Sequence, residues 1–195
     1  MADCYDTLLA RRTRKAMDGT PLSRTTVERL LQAGHRAPQH RMSHPWRFSP
    51  LDQAGITELG RWILASRQVV EWPDANKGPR KAAKLVDDYF PTLGAMIQVT
   101  QVIADDPEVD LEDHAATAAA AQNILLAAEA AGLASFWSSS AALRHPDTLA
   151  RLGADPDRER FVASVWLGGR VDDPEPPTLW PLESCCRWQW TEDGR

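Results

Sequence analysis

"HAATAAAAQNILLAAEAAGL", residues 114–133, is the stretch on which the fold turns. Its length and alanine content predict one long helix, and Gly132 can take the left-handed backbone that ends one. A helix this apolar all round is expected to be buried, with small side chains that let a second backbone approach closely. Downstream come a short strand at 134–137, a serine-rich turn, a helix near 146–152 and a last strand, "FVASVWLGG", at 161–169. Upstream, "AMIQVTQVIA" at 95–104 has the β-branched character of a buried strand. The acidic "DDPEVDLED" at 105–113 reads as the linker between them.

Nearer the N-terminus the periodicity is helical. A short helix is expected over 6–14 with Leu8 and Leu9 inward, broken by Gly19-Thr20-Pro21. Ser23 is placed to cap a second helix, in which Val27, Leu30, Leu31 and Gly34 share one face. Pro38 ends it, and a polar loop leads through Pro45 into a strand at 46–51. Ile56, Leu59, Ile63 and Leu64 mark a third helix, and 81–88 a further one in the irregular stretch 71–91. Gly168-Gly169 reads as a tight turn. Strands separated by helices, with few hairpins, point to an α+β or α/β sandwich.

A length of 195 residues suits one domain, taken here as 1–195. The net charge of -5 argues against nucleic acid as a partner, because such binding needs many phosphates neutralised by Lys and Arg. Cys4, Cys185 and Cys186 show no metal-ligand spacing, and their scarcity suits a reducing cytoplasm. No signal-peptide pattern or membrane-length apolar run is present, so the expected location is cytoplasmic with no membrane partner. The tail, about 171–195, carries Pro174, Pro176, Pro177 and Pro181 among Trp180, Trp188 and Trp190. Such a segment needs a surface to lie on, and with the alanine-rich helix it suggests a homodimer.

Hydrolase, kinase and dinucleotide signatures are absent, and no acidic residue joins His35, His40 and His44 in a metal-ligand pattern. What remains suits a planar, phosphorylated ligand. In "LLARRTRKAM", residues 8–17, Arg11, Arg12 and Thr13 offer two guanidinium forks and a hydroxyl, the donors a phosphate monoester takes. Arg36 and His40 add donors from the loop after the second helix. Trp137 with Ser138 and Ser139 offers a flat apolar face beside small polar groups. Taken singly, each has an ordinary structural explanation: a solvated helix end, a surface arginine, a core tryptophan. Their joint order along the chain carries more.

"LLARRTRKAM", "VERLLQAGHRAPQHRMSHPWRF" (27–48), "AAAAQNILLAAEAAGLASFW" (118–137) and "SVWLGG" (164–169) together resemble the successive signatures of the nitroreductase family, in its small branch. That resemblance implies an α+β three-layer sandwich, with a mostly antiparallel sheet between helices and an intertwined homodimer. It also implies FMN as cofactor, with NADH or NADPH as electron donor to a small electron-poor acceptor in a ping-pong scheme that needs no catalytic side chain. By position, Arg11, Arg12 and Thr13 resemble the Arg-Arg-Ser that holds the FMN phosphate and ribityl end. Arg36 and His40 match positions that reach the flavin from the other subunit. Trp137, Ser138 and Ser139 match a Trp-Arg-Ser stretch at the flavin, with Ser138 in place of the arginine, which implies altered handling of donor or substrate. About 52–91 matches no motif and is expected to be a variable region beside the substrate pocket. A diverged flavin reaction on the same fold (dehydrogenation, dehalogenation), and a flavin-binding protein without turnover, are the alternatives.

Overall fold

Three polar side chains set where the longer helices begin. In the computed structural model, which describes residues 3–189, the chain runs α1 (Cys4–Ala10), α2 (Arg24–Gly34), β1 (Trp46–Leu51), α3 (Gln53–Ala65), α4 (Arg67–Glu71), α5 (Gly78–Lys84), β2 (Ala95–Val102), α6 (Pro107–Ala130), β3 (Leu133–Ser138), α7 (Ala141–Arg144), α8 (Pro146–Arg151) and β4 (Glu159–Gly169). The Ser23 hydroxyl accepts from the Thr26 N–H at 3.1 Å, Asp52 from Gly55 at 2.8 Å and Asp106 from Glu108 at 2.8 Å. Each bond satisfies an amide that helix geometry leaves unpaired.

The four strands form one antiparallel sheet in the order β1-β2-β4-β3. One face packs Ile97, Val99, Val165 and Leu167 against Val27 and Leu30 of α2 and Ile124 and Ala128 of α6. The other packs Met96 and Trp166 against α3, α5 and α7 through Ile56, Ile63, Ala82 and Leu143. The result is helices, sheet, helices: three layers with both faces of the sheet covered. That explains why β2 is buried along nearly its whole length, its polar Gln98, Thr100 and Gln101 included.

Several local expectations are corrected. The acidic stretch 105–113 is mostly helix: Asp106 caps α6, Pro107 opens it, and Glu108 and Asp110 lie in its first turn. Carboxylates complement the positive end of the helix dipole, so acidity here marks a helix start. α1 ends at Ala10, not Arg14, and Leu8 and Leu9 are 48% and 57% exposed. Leu64 is likewise on the outside, 43% exposed. α5 starts three residues earlier than expected and passes into a single π-helical turn, Leu85–Tyr89. Gly168 and Gly169 form no turn but end β4. Met17 lies so close above them that a Cβ on Gly168 would stand 2.8 Å from the Met17 Cβ. The described part of the tail, 171–189, has no regular structure apart from one 3-10 turn at Leu182–Ser184, with Trp180 and Trp188 exposed. Trp190 lies outside the described residues.

A polar row crosses the whole sheet on the α7–α8 side. Ser49, Gln98, Ser164 and Ser138 are register partners, one on each strand. Ser49 donates to the Leu152 carbonyl at 3.2 Å and Gln98 to the Leu143 carbonyl at 2.5 Å. Ser164 accepts from the Trp166 indole, and the Ser138 and Ser140 hydroxyls bond each other at 2.9 Å. These bonds fasten α7 and α8 to the sheet and so fix the 139–144 segment that follows β3.

Candidate functional site

The run 11–15 does not act as one basic patch; the fold divides it. Arg14 turns inward and is 2% exposed. Its Nη1 donates to Glu129 at 2.7 Å and its Nη2 to Asp173 at 2.8 Å. Glu129, near the end of α6, also pairs with Arg170 at 2.7 Å. A carboxylate at a helix C-terminus is unfavourable by itself; two arginines neutralise this one. Burial works against the Arg14 charge, but hydrogen bonds to Asp173 and Glu129 outweigh it and hold the guanidinium more firmly protonated than usual.

The Arg14 N–H also donates to the Ser135 carbonyl at 3.0 Å, and Met17 bridges Arg170. The segment therefore runs antiparallel to β3, from its Trp137 end towards its Leu133 end. With Ser135 turned to the outer edge, ladder alternation turns the Trp137 N–H and C=O to the same open side. Arg11 and Thr13 make no side-chain hydrogen bond or ion pair among the described residues, Arg11 half-buried and Thr13 exposed. Arg12 spends Nη1 on the carbonyls of Leu9, at 2.5 Å, and Arg11, which closes α1 and leaves its other nitrogens. Lys15 sits over the Phe136 ring at 5.1 Å. Trp137 is partly buried against the α2–α6 layer and Ser139 is exposed. Ser138 is 2% exposed, its side chain tied into the polar row rather than open to a ligand.

Arg36 and His40 stand elsewhere. They follow α2, beside β1, the opposite edge of the sheet. Three strand spacings separate the two edges, roughly 14 Å at the usual 4.7–4.9 Å each. Within one chain the two groups are therefore not brought together. Arg36 opens onto a broad groove of about 1230 Å³ with His35, Trp46 and Phe48 on its wall. His40 bonds Glu112 at 2.5 Å, and Ser43 donates to the buried Asp113 at 2.6 Å, so the start of α6 pins this loop. His35 accepts from the Trp46 indole at 3.1 Å and stacks on His44. Among the described residues no group of three or more His, Cys, Asp and Glu stands close enough to hold a metal ion. No described helix is long and apolar enough to cross a membrane.

A cavity of about 380 Å³ opens between α4–α5 and α7, beside Ser139 and Ser140. Trp72 and Tyr89 form walls, and Lys77, Lys81, Lys84 and Arg144 reach it. Sequence reasoning passed over these cations, although the i, i+4, i+7 spacing of the three lysines places them on one stripe. It also missed Glu129 and Asp113, whose partners are distant in sequence.

The donors left open at the β3 edge suit a phosphorylated planar group: two guanidinium-bearing residues and a hydroxyl beside unpaired strand backbone. The family model for the "Nitroreductase family" matches residues 8–169. "Putative NAD(P)H nitroreductase YfhC" of Bacillus subtilis (strain 168) is 25% identical over 180 residues, covering 91% of this chain and 89% of that protein. The crystal structure of a nitroreductase-like family protein from Bacillus cereus superposes with a TM-score of 0.83 at 21% identity, covering 96% of each chain. A nitroreductase with bound FMN from Bacteroides fragilis NCTC 9343 gives 0.73 at 19% identity, over 92% of this chain and 96% of that one. With its three-layer fold and a family match over most of its length, this chain belongs to the nitroreductase family.

Proposed function

We propose that the protein is an FMN-dependent NAD(P)H oxidoreductase that works as a homodimer, passing electrons to a small electron-poor acceptor such as a nitroaromatic or a quinone. Bound FMN would supply two-electron chemistry between a nicotinamide donor and that acceptor. Arg11, Arg12 and Thr13 hold the phosphate, by charge-assisted hydrogen bonds from groups that have capacity to spare. The open backbone at Trp137 would receive the ring system, next to Ser139, which borders the 380 Å³ cavity. Arg36 of a second copy stabilises negative charge at the far end of the ring, with His40 beside it. Donor and acceptor take turns at one position, the ping-pong order. An aromatic nitro group taken to the nitroso level accepts two electrons and two protons and releases water. The nicotinamide gives a hydride and solvent gives the second proton, so no side chain has to act as acid or base.

The observation that carries this reading is the separation of the donors onto opposite sheet edges. A site that uses both sets needs two chains. Exposed apolar side chains support the same conclusion: Leu9 on α1 is 57% exposed, Met42 in the Arg36–His40 loop 68%, Leu179 77% and Trp180 82%. The test mixes an Arg11→Ala chain with an Arg36→Ala chain, each weak in FMN content and in acceptor-dependent NAD(P)H oxidation. Heterodimers contain one intact site and one with both defects, so both properties are expected to recover in part on mixing. No recovery, or full FMN binding by a monomer at high dilution, refutes the shared site.

A further inference from the structure

We infer that the cavity between α4–α5 and α7 is a binding site for a planar anion, and that the acceptor is therefore an aromatic carboxylate or a compound of the same shape and charge. The inference rests on the reading above, which puts the cofactor ring beside Ser139. The cavity has the size of a small-ligand site, with buried Val69, Ala82 and Leu85 as apolar floor. Trp72 and Tyr89 are flat walls, and each carries a cation. The Arg144 guanidinium lies 5.2 Å from the Trp72 ring centre, and the Lys84 ammonium 5.8 Å from that of Tyr89.

The charge balance is one-sided. Four cations reach the cavity, against a single carboxylate, Asp74, and Asp74 stands 4.0 Å from Lys77. Among the described residues Lys81, Lys84 and Arg144 have no carboxylate within ion-pair distance. Lys81 and Lys84 stand on one face of α5 with Lys77 at its N-cap, and like charges this close repel one another. The helix dipole accounts for Lys81 and Lys84 in the last turn, but not for Lys77 at the N-cap or for Arg144 arriving from another helix. On a chain of net charge -5 these cations make a local positive field in a partly enclosed space, which concentrates anions. An aromatic anion gains from both features at once: its ring between Trp72 and Tyr89, its charge against Lys81 and Arg144.

The test compares 4-nitrobenzoate with its neutral counterpart 4-nitrobenzamide on the FMN-loaded protein, and measures 4-nitrobenzoate binding calorimetrically with and without FMN. Wild type is expected to prefer the anion in kcat/KM. Lys81→Gln and Arg144→Gln, both at exposed cations, are each expected to cut the anion-to-neutral ratio about two- to fivefold, and to weaken 4-nitrobenzoate binding by a similar factor. Rising salt is expected to erode the preference. If neither compound is reduced but 4-nitrobenzoate still binds in a Lys81-dependent way, the anion site stands and the oxidoreductase reading falls. If both are reduced with a ratio that neither substitution moves, the oxidoreductase stands and the anion site is refuted. A loss confined to the kcat/KM of NADH or NADPH assigns the cations to the donor, and also overturns the inference.

Discussion

Glu129→Gln is the sharpest probe of how the β3 edge is built. The Glu129 side chain is 6% exposed and carries the charge that neutralises Arg14, 2% exposed, and Arg170, 32% exposed. The amide keeps the shape and can still accept a hydrogen bond, so what is lost is the negative charge between two arginines. Breaking a buried pair from one side costs about 3–5 kcal/mol, because the partner charge stays buried. Arg14 retains Asp173, whose side chain is 88% exposed and compensates weakly, and Arg170 can relax outward. The expected loss is therefore at the lower end, about 3 kcal/mol, or roughly 6–12 °C in Tm for a chain of this length. Urea unfolding at equilibrium measures it. The double variant Arg14→Met, Glu129→Leu removes both charges and is expected to recover most of the loss, since a buried pair replaced by apolar groups is often near neutral. FMN affinity is expected to fall in Glu129→Gln as well, because Arg14 anchors the segment that carries Arg11 to Thr13. A stability loss below about 1 kcal/mol, or a double variant worse than the single one, refutes this account of the network.

Two further outcomes follow from the same edge. Arg11→Ala is expected to weaken FMN binding roughly ten- to hundredfold, from the 1.5–3 kcal/mol typical of a hydrogen bond to a charged group, and to leave riboflavin binding nearly unchanged; equal losses for the two ligands rule out a phosphate role. The Arg14 hydrogen bond holds the Asp173 carboxyl below its ordinary range, so its contribution is complete above roughly pH 4 and disappears as pH falls through the lowered folded-state value. Asp173→Asn is expected to flatten the acid limb of a stability-against-pH curve measured by urea unfolding, and an unchanged limb argues that Arg14 relies on Glu129 alone.

Elements whose causes are local were legible in the sequence. β1 spans 46–51 as expected because Pro45 and Asp52 bound it, and α2 follows Ser23 because the cap is three residues from the amide it satisfies. What escaped reading depends on partners far along the chain. Arg14 looks like its neighbours in a basic run, and only Glu129, 115 positions away, makes it a core residue. The carboxylates of 105–113 look like a solvated linker until Asp106 and Pro107 are recognised as a helix start, and Glu112 and Asp113 then become the anchors of the loop that carries Arg36 and His40. The row Ser49, Gln98, Ser164 and Ser138 exists only once the register of four strands is known.

Ser138 shows how the two levels combine. In the sequence it marks a departure from the arginine that the family resemblance places there. In the fold its hydroxyl closes the polar row, bonding Ser140 at 2.9 Å, and the small side chain fits beneath α7. The positive charge missing at this position has a counterpart nearby, because Arg144 of α7 and Lys81 of α5 reach the cavity that Ser139 and Ser140 border. The cavity thus draws its positive charge from α5 and α7 and none from Ser138. With the cofactor ring beside Ser139 as proposed, this charge would act on a bound acceptor rather than on the ring, which is the physical basis for expecting selectivity for an anionic acceptor.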